Sequence, residues 1–194
     1  AYLFTASDKE SAWFWYNLSS LGWGIVPGLA LHFSLVLTGS EEKGGKWFAL
    51  AVAYLPGTAF VYQQFTGYVM AGDFELQSYG WNSLAPVTSG WYLGFVLYYL
   101  GCVAASVALV SWWGRKSKLF REKKQARIIV AAMLASIILV FVNNELLPFL
   151  GIHYIPKMPS VAVLIWAFGM WYAISRHRFL NLTPALATNQ IISG

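Results

Sequence analysis

The sequence predicts an all-α integral membrane protein, a bundle of five transmembrane helices with the N-terminus outside and the C-terminus cytoplasmic. Three observations carry this. Of 194 residues, 58% are hydrophobic and only 11% are charged, a balance far from that of a soluble domain of this size. Five apolar segments, 13–37, 47–65, 91–113, 126–150 and 158–175, are separated by glycine-, proline- or charge-bearing connections. The basic residues gather on one side of that arrangement, as the retention of lysine and arginine on the cytoplasmic side demands.

The stretch ASDKESA, with Asp8, Lys9 and Glu10, reads as an interfacial lead-in to helix 13–37. Trp13, Trp15 and Tyr16 cluster at the start of that helix, where aromatic rings favour the headgroup level. Pro27 is expected to kink it, and Gly24 with Gly28 forms a small-xxx-small pair that lets a neighbouring helix approach closely. Helix 47–65 carries Pro56 and Gly57 in its middle. The connection 66–90 is long, rich in glycine, serine and aromatics, contains Asp73 and Glu75, and lacks lysine and arginine. It is expected outside, as an irregular loop.

Helix 91–113 is marked at one end by Trp91 and Tyr92 and at the other by Trp112 and Trp113. The basic loop after Gly114 holds Arg115, Lys116, Lys118, Arg121, Lys123, Lys124 and Arg127, and an uncharged run from Ile128 to Val142 follows. GIHYIPKMP is a short outer turn before helix 158–175, which ends in Arg176, His177 and Arg178. With Lys43 and Lys46, eleven of the 13 basic residues fall inside in this orientation, leaving Lys9 and Lys157 outside. Residues 1–180 thus form one membrane bundle. In the remaining 181–194, Thr183 before Pro184 has the form of an N-cap with proline at the first helical position, the start of a cytoplasmic linker helix.

Several function classes fall away on composition. The net charge of +5 sits at helix ends instead of covering a folded surface, so nucleic acid is not an expected partner; the lipid bilayer is. The lone Cys102 lies within an apolar helix and reads as a small buried residue. His32, His153 and His177 are scattered without metal-ligand spacing, so no metal site is expected. His32 reads as a hydrogen-bonded packing residue. No serine–histidine–acid set or phosphate-binding glycine loop is present, and neither a catalytic residue nor a cofactor is expected.

The candidate ligand-binding residues are Gln63, Gln64, Trp81, Trp91, Asn143, Asn144 and Glu145. Asn143, Asn144 and Glu145 lie near the outer end of the fourth helix and Gln63 and Gln64 near that of the second. At similar depth, the two groups could converge on an outward-facing pocket roofed by the 66–90 connection, because polar groups in membrane helices turn to the bundle interior or a wet cavity. The competing reading keeps Glu145 hydrated at the interface and lets the asparagines cap the helix before Pro148. Trp81 and Trp91, with Tyr79 and Tyr92, could stack on an amphiphilic ligand or simply anchor the interface.

The pieces LGWGIVPGLALHFSLVLTG, KKQARIIVAAML and ISRHRFLNLTPALATNQII resemble the seven-helix membrane sensor region at the N-terminus of bacterial histidine kinases. Arg178, Leu180, Pro184 and Ala185 fit that family's closing turn, in which the last span leads into a helix toward a PAS or kinase module. The resemblance implies spans three to seven of such a region in the bacterial inner membrane, with two spans expected upstream of Ala1 and an output domain downstream. It also implies a sensory role, relaying an extracytoplasmic or intramembrane signal, and a homodimer formed through the output region. A transporter or channel subunit, or a structural accessory subunit of a membrane complex, are the alternatives. The former should show an intramembrane charge pathway or an inverted repeat, and neither is visible.

Overall fold

In the computed structural model, described over residues 5–40, 46–67, 73–84, 89–147, 150–152, 155–157 and 159–176, six α-helices and one β-hairpin follow one another. They are α1 (Lys9–Trp23), α2 (Val26–Leu37), α3 (Lys46–Gly67), β1 (Asp73–Gln77), β2 (Gly80–Leu84), α4 (Gly90–Lys116), α5 (Phe120–Phe141) and α6 (Pro159–Arg176). A π-helical turn, Val142–Leu146, prolongs α5. Three stretches are long and apolar enough to cross a membrane: Lys9–Leu37, Gly90–Lys116 and Phe120–Asn144; Val161–Arg176 is a shorter apolar helix. The chain is a membrane protein by this measure.

The first expected helix is two. Asp8 caps α1, its carboxylate accepting from the Ser11 amide at 2.7 Å, so the supposed lead-in is already helical. The break falls at Gly24–Ile25 and not at Pro27. Proline has no N–H to give the carbonyl four residues back, and its ring collides with it; for Pro27 that residue is Trp23, the last of α1. Pro27 itself is accommodated in the first turn of α2.

The small residues do what their spacing suggests. A side chain at Gly28 would land on the Ala53 carbonyl of α3, and one at Gly24 on the Val61 side chain. Tyr98 of α4 donates to the same Ala53 carbonyl at 2.7 Å. Leu31, Ala53 and Cys102 are buried together there, and His32 meets the Tyr54 hydroxyl at 2.9 Å.

A second core joins α2, α4, α5 and α6 through Leu37, Val110, Ala126, Ile129, Met133 and Ala173. Gly114 lies against the Ala126 methyl and Gly169 against that of Ala132, so α5 is held closely on both sides. Between α4 and α5 only Ser117–Leu119 is non-helical. The expected basic loop is therefore corrected: Arg121, Lys123, Lys124 and Arg127 stand on the first turns of α5, because glutamate, lysine, glutamine, alanine and arginine all favour helix.

The connection 66–90 is likewise corrected from an irregular loop. It contains an antiparallel hairpin pairing Asp73 with Leu84 and Gln77 with Gly80 across a two-residue turn. Gly80 has φ +115°, a conformation that favours glycine. Five-residue strands leave little periodic signal amid so many glycines and serines. The expected features at 181–194, the closing turn with Arg178, Leu180, Pro184 and Ala185, and His153 lie outside the described residues.

Much of the outer surface is apolar. Leu97, Ile138, Phe168 and Trp171 are among many large side chains more than three-fifths exposed, and a water-soluble domain rarely leaves such surface open.

Candidate functional site

At one end of the bundle the hairpin closes over α1. Phe74 is buried against Ala12, with Trp13, Tyr16 and Trp81 around it; Trp13 and Phe74 meet edge to face at 4.7 Å between ring centres. Trp81 Nε1–H donates to the Ala6 carbonyl at 3.1 Å, and Lys9 pairs with Asp73 at 2.5 Å. The Lys9 ammonium, then the Phe74 amide, hold the Asp73 carboxyl below its ordinary value of 3.8. The Ser11 amide does the same for Asp8, with further help from the Ser7 hydroxyl.

The hairpin also reaches the far side of the bundle. Lys157, in the connection before α6, donates from Nζ to the Ser83 carbonyl at 2.9 Å. One residue earlier, the Pro156 carbonyl accepts from Asn143 Nδ2 at 3.3 Å. A continuous path thus runs from β2 through Lys157 and Pro156 to Asn143 on the π-turn.

That π-turn spans Val-Asn-Asn-Glu-Leu, the most polar run of the segment. A π-turn carries one residue more than α-helical geometry accommodates, and such turns recur at functional sites. Asn144 Oδ1 is buried and has no hydrogen-bond partner among the described residues. Trp166 Nε1 shares that condition but belongs to the central core. An unpaired buried acceptor is unfavourable by about 1–3 kcal/mol, so it calls for a donor. Glu145 lies on the turn; its side chain is outside the described part of the structure.

The other candidates take different partners. Gln64 is fully buried and donates from Nε2 to Asn17 Oδ1 at 2.7 Å, a pair between α3 and α1. Gln63, its neighbour, is half-buried. Trp91 is 46% exposed and faces Phe60 at 6.0 Å between ring centres. The structure therefore joins Trp81 to the α1 end and Asn143 to the α6 connection, with the hairpin common to both.

The family model for the N-terminal 7TM region of histidine kinase matches residues 1–184. The chain belongs to that family. The resemblance carried by the three sequence pieces thus holds over almost the whole chain. No curated protein and no solved structure matches it. Among the described residues no set of three or more histidine, cysteine or acidic side chains is placed to hold a metal.

Sequence reasoning missed Asn17, Lys9 and Lys157 as organising residues. Asn17 carried a signal, being an amide in an otherwise apolar run. Lys9 and Lys157 also stood out as the two cations expected outside; their partners, Asp73 and a backbone carbonyl, could not be read from spacing.

Proposed function

We propose that this chain is the membrane-embedded sensory region of a bacterial two-component signalling protein in the inner membrane. It relays an extracytoplasmic or intramembrane signal to a cytoplasmic output domain. In this reading five spans cross the bilayer, α1–α2 serving as the first and α6 as the last. The hairpin lies outside, and the connection between α4 and α5 lies in the cytoplasm. Family membership supports the sensory role, and the seven cations between Arg115 and Arg127 support the orientation.

The observation that carries the site is the buried Asn144 Oδ1, without a hydrogen-bond partner among the described residues, on a π-turn next to the connection that the hairpin grips. A small or amphiphilic ligand offering a hydroxyl or ammonium donor would satisfy that acceptor. It would also bear on Asn143 and Glu145, with Gln63, Gln64, Trp81 and Trp91 lining or supporting the same outer end. Occupancy that shifts the π-turn moves Pro156 and Lys157, and with them the start of α6. Such a ligand switches the output only to the extent that it binds one arrangement better than the other. A homodimer through the output region would turn the displacement of α6 into a change between two kinase subunits.

The test is autophosphorylation of the complete protein in vesicles with Asn144→Leu and, separately, Glu145→Ala. Loss of the response to stimulus at normal expression and unaltered basal phosphorylation supports the site. A response indistinguishable from that of the unmodified protein in both variants removes it.

A further inference from the structure

A second feature lies at the opposite end of α5 and α6. Lys124, Arg127, Ile128, Tyr172 and Arg176 line an open groove of about 440 Å³ between these two helices. Three cations face one cleft, and among the described residues none of them forms an ion pair with a carboxylate. The nearby Glu122 is engaged by the Ser117 hydroxyl. Lys124 lies over the Phe120 ring, 5.0 Å from its centre, which fixes its stem along α5. Buried Gln125 donates to the Ala173 carbonyl at 3.3 Å and sets the spacing of the two helices beside the groove.

The order of side chains along α6 indicates what the groove takes. Leu164, Phe168, Tyr172 and Arg176 recur at intervals of four and so form one stripe of the helix. The first three are 54%, 64% and 51% exposed, and Arg176 is exposed at the end. Read toward the C-terminus, the stripe runs aliphatic, aromatic, amphipathic aromatic, cation. On α5, Ile128 and Lys124 stand one turn apart and pair apolar with cationic in the same sense. That gradient matches a molecule with an anionic head and hydrocarbon chains. A free phosphate would use the cations and leave the apolar track without a role.

We propose that this groove is a binding site for an anionic phospholipid, whose phosphate is held by Lys124, Arg127 and Arg176. Tyr172 lies at its glycerol level, and its chains run along Phe168 and Leu164. Basic clefts between membrane helices suit such headgroups, each lysine or arginine near the surface adding about a fivefold preference. Because Arg176 ends α6, the lipid grips the helix that leads toward the output and couples membrane composition to it. Placing the groove in the cytoplasmic leaflet rests on the orientation proposed above; the lipid contact itself does not.

The test is native mass spectrometry of the chain released from nanodiscs of phosphatidylcholine mixed with phosphatidylglycerol. The expected result is preferential retention of phosphatidylglycerol, reduced about fivefold by R127Q and roughly 100-fold by the triple variant K124Q/R127Q/R176Q. The equally neutralised K118Q/R121Q/K123Q, outside the groove, should retain it. Equal loss in the two triple variants, or no loss in the first, overturns the site. Displacement of the lipid by inorganic phosphate, with no further loss on Phe168→Ser, reassigns the groove to free phosphate and overturns the lipid assignment. Labelling of a cysteine placed at Lys118 reports sidedness independently. Labelling from the outer face with lipid retention intact refutes the orientation and leaves the groove standing.

Discussion

Gln64 and Asn17 meet across 2.7 Å, the amide of one donating to the carbonyl of the other, at a point where Gln64 has no exposed surface. Hydrogen bonds of this kind between membrane helices contribute about 0.6 kcal/mol on average and up to about 1.7. In a double-mutant cycle with Asn17→Leu and Gln64→Leu, each single variant should lose stability. The pair should lose less than the sum by about 0.5–1.5 kcal/mol. Denaturant unfolding in detergent micelles measures this.

The crossing of α2 and α3 should tolerate no added carbon. Gly28→Ala drives a methyl onto the Ala53 carbonyl and is expected to destabilise by about 1–3 kcal/mol. Gly101→Ala, in α4 with open space around its Cα, should be neutral or stabilising by up to about 1 kcal/mol. Thermal denaturation of the two variants side by side gives the comparison.

The outer hairpin should respond to acid. Lys9 and the Phe74 amide hold the Asp73 carboxyl below 3.8, so the folded state favours the ionised form. Its contribution is complete above 3.8 and is lost as pH falls through the lower folded value. A 5-fluorotryptophan signal from Trp81, which donates to the Ala6 carbonyl, should keep its docked shift from neutral pH to about pH 4 and move below that. In Lys9→Met the move should be smaller, because with less depression of Asp73 less pH-dependent stabilisation remains to be lost.

Deleting Asn144 should convert the π-turn to ordinary α-helix by removing its extra residue. Helix content by circular dichroism should stay within error of the unmodified chain. Stimulated autophosphorylation of the complete protein should fall, since Asn143 loses its register with the Pro156 carbonyl. Retained stimulation would separate the π-turn from signalling.

Much of this architecture was legible in the residues. The apolar segments stood out because a run of apolar side chains is constrained by its own length and chemistry before any neighbour is chosen, although the first of them proved to be two helices, α1 and α2. Gly24 and Gly28 declared a close crossing, and His32 a hydrogen bond. The hairpin escaped because its pairing of Asp73 with Leu84 is a relation between two short segments that look irregular one at a time. The kink moved upstream of Pro27 because the affected carbonyl belongs to Trp23.

The candidate site divides in the same way. That Asn143, Asn144 and Glu145 stand out in an apolar segment is a property of the chain itself, since amides and carboxylates are unfavourable in hydrocarbon wherever they fall. Which of them finds a partner depends on what another part of the chain brings to it. Gln64 is satisfied by Asn17, forty-seven residues away, and Asn143 by a proline carbonyl, whereas Asn144 Oδ1 meets no donor among the described residues. Composition therefore determined that this protein lives in a membrane and where its polar groups concentrate. Only the packing of α1, α3, α5 and the hairpin decided which of those groups are spent on the fold and which stay available, because hydrogen bonding is set by distance and direction.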